Sequence, residues 1–357
     1  MLSIIWKKDG VILMGEPNGF TRERTISPVL SPVIPCKLKS GDEIRIISPA
    51  RSLYLINTFQ RNIAQGNIQG LGLRLSFSRN AELHDEFMSS PIEARVDDLH
   101  VAFLDKNVKG ILTTIGGFNS NQLLRYINYD IIRNNPKVLC GFSDITALSN
   151  AIYAKTGLVG YSGPHYSTFG MAKGCEYTVE YFNKCLMQQS EFEVVPPENW
   201  SDDEWYAEQE KRTFSLNTGP YTIKEGFARG TIIGGNLCTL NLLQGTEYMP
   251  SFDNTLLFIE DDSVTTPETF DRDLQSIIHQ PNFNKVLGMV IGRFQNASKM
   301  TPNILRRIVA AKRELADIPV VADFDFGHTT PRFTFPIGGM ATLDCRNGKV
   351  KLIINAH

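Results

Sequence analysis

Residues 137–152 read Lys-Val-Leu-Cys-Gly-Phe-Ser-Asp-Ile-Thr-Ala-Leu-Ser-Asn-Ala-Ile. Lys137 to Cys140 form a short, mostly apolar strand, and Ile145, Leu148 and Ile152 recur at the spacing of one helix face. Only Gly141-Phe142-Ser143-Asp144 is left between them to turn the chain. The same alternation runs upstream. Glu43 to Ile47 reads as a strand ending at Ser48-Pro49-Ala50, a helical stretch follows, and another strand lies near Leu73 to Phe77. A helix begins near Pro91, and Val108 to Thr114 is a strand running into Gly116-Gly117. Ser120 can cap a helix whose Leu123, Leu124 and Ile127 share a face. Strand alternating with helix predicts an α/β protein with a parallel, Rossmann-like sheet in its N-terminal half.

Downstream, residues 190–226 differ. They are polar, with Pro196-Pro197, the acidic run Asp202-Asp203-Glu204 and two tryptophans, Trp200 and Trp205, and they read as a long linker or loop. A second, smaller α/β domain with a β-rich core begins near residue 227. Leu256 to Ile259 is a buried strand ending in Glu260-Asp261-Asp262. Thr265 and Glu268 form a capping box for a helix bearing Phe270, Leu274 and Ile277. Val286 to Ile291 is a strand, Thr301-Pro302 opens a helix to about Leu315, and Pro319 to Ala322 is a strand leading to His328. Asn347-Gly348 turns a closing hairpin. The predicted organisation is an arm over 1–36, a domain over 37–189, the linker over 190–226 and a domain over 227–357.

The chain has 357 residues, 42% of them hydrophobic and 21% charged, enough for about two domains and too apolar for disorder. Its net charge of −2 leaves no basic excess for a phosphate backbone, which excludes a nucleic-acid partner. Six cysteines without a C-x-x-C pair suggest neither a disulfide framework nor a zinc site, but a reducing compartment. No apolar run approaches the ~18 residues of a membrane span, and Lys7-Lys8 follow the first apolar residues rather than precede them. A cytoplasmic protein without a membrane partner is expected.

Several residues could carry chemistry. Ser143, at a tight strand-to-helix turn, is either an exposed nucleophile or simply a helix N-cap. Gly116-Gly117 could bring backbone N–H groups close to an oxyanion or a phosphate, or could be an ordinary βα turn. His165 follows Gly163-Pro164 and His328 follows Gly327, both in loops where a catalytic imidazole could sit. Glu260, Asp261 and Asp262 compete to orient it, and three adjacent acids make a poor metal cage. Trp200 and Trp205 could wall a ligand or anchor their loop.

Taken together, Gly116-Gly117, Gly141-Phe142-Ser143-Asp144-Ile145-Thr146, Gly234-Gly235-Asn236-Leu237, Leu257-Phe258-Ile259-Glu260-Asp261 and Gly327-His328 resemble the S66 serine peptidases, in the order that family has them. The resemblance covers residues 37 to 357. It implies a triad of Ser143 as nucleophile, His328 as base and Glu260 as orienting carboxylate. It further implies backbone N–H groups of Gly117 and Asp144 as oxyanion donors, no metal or organic cofactor, and a homodimer. Nucleophile and partners would then come from different domains, with the active site between them. The stretch Asn199-Trp200-Ser201-Asp202-Asp203-Glu204-Trp205 and residues 237–246 are more similar to the microcin-immunity branch than to the shorter LD-carboxypeptidases. That branch implies a peptide or aminoacyl-nucleotide substrate, with Gly116, Trp200, Trp205 and Asn236 as substrate contacts; the other implies a murein tetrapeptide. A non-catalytic nucleotide- or phosphate-binding protein, with Ser143 only a cap, is the alternative of another class.

Overall fold

A computed structural model describes residues 31–357. Of the arm expected over 1–36, residues 1–30 lie outside the described residues; within the remainder Val33 bridges Leu158.

Among the described residues sixteen strands are arranged in three sheets, two of them large. The first five are β1 (Glu43–Ile47), β2 (Arg74–Phe77), β3 (Val108–Thr113), β4 (Val138–Gly141) and β5 (Gly160–Ser162). Next come β6 (Phe192–Glu193), β7 (Asn199–Trp200), β8 (Ser215–Leu216) and β9 (Tyr221–Lys224). The C-terminal part adds β10 (Phe227–Asn236), β11 (Thr255–Glu260), β12 (Val286–Gly292), β13 (Val320–Phe324), β14 (Phe335–Ile337), β15 (Met340–Asp344) and β16 (Lys351–Ala356). The helices are α1 (Thr58–Gly70), α2 (Ile92–Leu104), α3 (Tyr129–Asn134), α4 (Ile145–Thr156), α5 (Glu176–Met187), α6 (Leu237–Asn241), α7 (Pro267–Ile278) and α8 (Pro302–Ala310).

The first sheet runs β14-β5-β4-β3-β1-β2, with β1 to β5 mutually parallel and β14 antiparallel at one edge. The second runs β6-β16-β15-β10-β11-β12-β13-β9, with a parallel centre from β10 to β13 and antiparallel flanks. All residues of β4 and β11 are buried, as expected of central parallel strands covered on both faces. The sheets exchange material, because β14 leaves the C-terminal half to pair with β5. Helix α4 links them more directly. Its Asn150 side chain donates to the carbonyl of Gly234 at 2.8 Å and accepts from the Gly234 N–H at 3.2 Å, and Thr146 Oγ1 accepts from the Asn236 N–H at 2.9 Å. The helix that follows Ser143 is thus hydrogen-bonded to β10, next to the strand that ends in Glu260.

Four local expectations change. No α-helix follows Ser120: a 3₁₀ turn over Ser120–Leu123 starts from Asn119, and the Ser120 hydroxyl donates to the Asp144 carbonyl at 2.7 Å instead of capping a helix. Thr266, not Thr265, caps α7, one residue before Pro267 at the first helical position. Helix α8 stops at Ala310, with a separate 3₁₀ turn at Arg313–Leu315. Residues 190–226 are more than a loop, since β6 and β9 are the two edge strands of the second sheet and β7 pairs with β8.

Candidate active site

Ser143 sits between β4 and α4 with φ at +59°, a left-handed conformation that costs a non-glycine residue about 1–2 kcal/mol. Strain of this kind in a strand-to-helix turn exposes a hydroxyl above the sheet edge. Glu260 is the last residue of β11 and pairs in register with Asn236 at the end of β10. His328 follows β13. Serine, glutamate and histidine therefore all stand at or just beyond the C-terminal ends of parallel strands, where open α/β sheets form their crevices.

The three side chains form one hydrogen-bonded chain. His328 Nδ1 lies 2.7 Å from Glu260 Oε2, and His328 Nε2 lies 3.0 Å from Ser143 Oγ. A carboxylate only accepts, so Nδ1 carries the proton and the neutral Nε2 accepts from the serine hydroxyl. Burial pushes the His328 pKa down, but the Glu260 carboxylate and its hydrogen bond outweigh it and hold the imidazole above its ordinary value. Glu260 itself is buried. Among the three adjacent acids it alone meets the imidazole. Asp261 instead accepts from Asn236 Nδ2 at 3.2 Å, and burial followed by the neighbouring Glu260 charge pushes its pKa up to about 7. Asp262 accepts from the Val264 N–H.

Of the two loop histidines, His165 is not the one bonded to serine. Its Nδ1 meets Thr113 Oγ1 at 2.7 Å, its ring lies against Phe142, and burial holds its pKa well below the ordinary value. The glycine pair divides its duties. A Cβ on Gly116 would come within 3.1 Å of both Cβ and Oγ of Ser143, so a side chain there would press on the serine. A Cβ on Gly117 would meet Ala50 and Arg51 instead. Among the described residues no acceptor takes the N–H of Gly117 or of Asp144. The Asp144 carboxylate, accepting from Asn119 and Ser120, fastens the glycine loop to the serine turn.

A cleft of about 430 Å³ opens over this chain, lined among others by Gly116, Ser143, His165, Trp205, His328 and Arg332. Two expected substrate contacts are placed elsewhere. Trp200 does not line the cleft; its ring lies 4.8 Å beneath the Arg293 guanidinium, which is paired with Asp323 and Asp325. Its partner Trp205 does line the cleft, beside Tyr206. Asn236 is buried and occupied, capping α6 through Thr239 and donating to Asp261. The tryptophan loop is tied to the histidine loop: Ser201 and Thr330 exchange backbone hydrogen bonds of 2.7 and 2.9 Å, and Arg212, paired with Asp203, donates to Thr330 Oγ1. Neither Arg212 nor Arg332 stands out in the sequence, because nothing local marks which exposed-looking cation folds inward.

Residues 44–163 match the sequence profile of the LD-carboxypeptidase N-terminal domain of the S66 peptidases, and residues 229–343 match that of the C-terminal domain. The chain belongs to the S66 peptidase family. As such it is a serine-type carboxypeptidase. YocD of Bacillus subtilis is 53% identical over 321 residues, 90% of this chain and 99% of that protein. The crystal structure of an MccF-like protein from Bacillus anthracis superposes with a TM-score of 0.90 at 54% identity, covering 91% of this chain and all of that one (100%). The microcin C7 self-immunity protein MccF of Escherichia coli is 32% identical over 90% of this chain and 96% of its own length. Its structure in complex with aspartyl sulfamoyl adenosine gives a TM-score of 0.82 at 30% identity, covering 91% and 99% of the two chains. No helix among the described residues is long and apolar enough to cross a membrane.

Proposed function

We propose that this S66 enzyme hydrolyses an amide-type bond near the C-terminus of a small peptide or peptide–nucleotide conjugate, with Ser143, His328 and Glu260 as its catalytic triad. The observation that carries the reading is the continuous hydrogen-bonded chain from Ser143 Oγ through His328 to Glu260. Ser143 Oγ attacks the scissile carbonyl as His328 Nε2 takes its proton, and the carbonyl π electrons move to oxygen. Backbone N–H groups of Gly117 and Asp144 hold that oxyanion, each donor worth about 3–4 kcal/mol in comparable sites. Collapse breaks the C–N bond while Nε2–H protonates the leaving nitrogen. Water, deprotonated by His328, then cleaves the acyl-enzyme. Glu260 fixes the tautomer throughout and stabilises the imidazolium.

The identity with MccF and the aromatic pair Trp205–Tyr206 in the cleft favour an aminoacyl-nucleotide conjugate. A murein tetrapeptide, the reading that the LD-carboxypeptidase profiles favour, is the second candidate. Parallel assays of the two substrates decide between them: faster turnover of the conjugate supports the first, faster turnover of the tetrapeptide the second.

Two outcomes follow from the cleft. Stacking a base on an aromatic ring contributes about 1–3 kcal/mol, so Trp205→Ala should slow conjugate turnover by about 5- to 150-fold and tetrapeptide turnover much less. Trp200→Ala, which removes the ring under Arg293, should lower both rates together. Steady-state kcat/KM on both substrates reads the contrast, and equal losses from Trp205→Ala would make that ring a loop anchor as well.

The pH profile is the second. His328 must be neutral to take the serine proton, and its pKa is raised, so kcat/KM should rise with pH through a limb above the ordinary ~6.5. Activity is lost as pH falls through that value. Glu260→Gln removes the opposing charge and should move the limb down. A profile flat between about pH 5 and 8 would argue against a histidine base.

A further inference from the structure

Arg332 occupies an unusual position for a permanent cation. Only 5% of it is exposed, and its guanidinium lies 3.8 Å from the centre of the Phe142 ring. Its single side-chain hydrogen bond runs from Nη2 to the Thr329 carbonyl at 3.3 Å, while Nε and Nη1 are buried without a partner among the described residues. No carboxylate among the described residues forms an ion pair with it, and the nearby Glu260 carboxylate is committed to His328. Two other arginines of the neighbouring loops are not left so: Arg293 is paired with Asp323 and Asp325, and Arg212 with Asp203. Burial draws the Arg332 pKa down only to about 10, so the group is cationic at neutral pH. A buried, unpaired charge is costly unless something anionic completes it.

What could complete it is set by the cleft. Among the described residues that line it Arg332 is the only lysine or arginine, and Ser143 and His328 line the same space. His165, which lines the same cleft, is held neutral by burial and adds no charge. The carboxylates of the lining, Asp202, Asp203 and Glu204, belong to the tryptophan loop and disfavour an anion beside it. A substrate anion therefore has one favourable place, beside the serine. Resting on the triad reading above, we propose that Arg332 is a specificity residue that binds the anionic group carried by the leaving nitrogen. That group is the terminal carboxylate of a peptide, or the phosphoryl or sulfamoyl group of an aminoacyl-nucleotide. Such a residue makes the enzyme an exopeptidase, because an internal peptide bond offers no charge at that point.

The test compares matched substrates that differ only in this charge: a peptide with a free C-terminal carboxylate against its carboxamide, and an aminoacyl sulfamoyl adenosine against a neutral amide-linked analogue. Wild-type enzyme should prefer the charged member of at least one pair, and the pair that discriminates identifies the source of the anion. In Arg332→Gln the charged member should lose about 30- to 5,000-fold in kcat/KM, the range for removing one partner of a buried charge pair, while the neutral member changes little. Arg332→Lys, which keeps the charge, should restore part of the preference and covers the case in which the glutamine variant fails to fold. The Arg332 charge also lowers the His328 pKa, so labelling of Ser143 by an uncharged fluorophosphonate is compared above the pH limb of each variant, where it should proceed at a similar rate in all three. Wild-type indifference to the charge in both pairs, or equal losses on charged and neutral members, would overturn the assignment. Absent labelling in folded wild-type protein would instead sink the triad reading beneath it.

Discussion

Ser143→Ala should lower kcat/KM by about 10⁴- to 10⁶-fold, with the fold intact. His328→Ala should cost about as much, and the double variant little more than either alone, because nucleophile and base act as one unit along the 3.0 Å contact between them. Steady-state assays with thermal unfolding of each variant check this. The backbone supplies an internal control. At φ +59° alanine is as strained as serine, whereas glycine is not, so Ser143→Gly should be about 1–2 kcal/mol more stable than Ser143→Ala and equally inactive. Stability and activity would then move in opposite directions at one position, as expected where local strain serves function. Near-full activity in either variant would end the proposal.

The second large effect lies at a residue that touches no substrate. Gly327 adopts φ +98°, and a Cβ there would overlap the Glu260 carboxylate. Gly327→Ala should therefore displace Glu260 from His328 Nδ1 and cost about 10³- to 10⁴-fold in kcat/KM, close to the loss from Glu260→Gln. Because both changes remove the same support from the imidazole, combining them should add little. The pH limb gives a second readout, since Gly327→Ala should lower it as Glu260→Gln does. A variant that is merely unstable would lose activity without moving the limb.

The strand, turn and helix of 137–152 were legible because everything that defines them is contiguous: four buried residues ending at Gly141, three turn residues and apolar spacing at 145, 148 and 152. The closing hairpin was legible for the same reason, with Asn347 and Gly348 both at positive φ. Which of Glu260, Asp261 and Asp262 meets the histidine was not, since it depends on where β13 delivers His328 relative to the end of β11. The order of family motifs supplied that choice; local chemistry did not. The two tryptophans were separated only by tertiary pairing, because β7 and the Ser201–Thr330 bridge fix the loop so that Trp200 faces Arg293 and Trp205 faces the cleft. Ser120 failed as a cap for a similar reason, its hydroxyl being spent on the Asp144 carbonyl of a distant turn. Arg332 carries no local signal, since its meaning lies in the partners it lacks once folded.

The central claim is that Ser143 is a nucleophile activated by His328. Reaction of the folded enzyme with a fluorophosphonate, followed by mass-spectrometric mapping of the adduct, tests it most directly. One adduct per chain on Ser143, formed in step with loss of activity and slowed severely in His328→Ala, is the expected result. An adduct on another residue, or inactivation that leaves Ser143 unmodified, would contradict it.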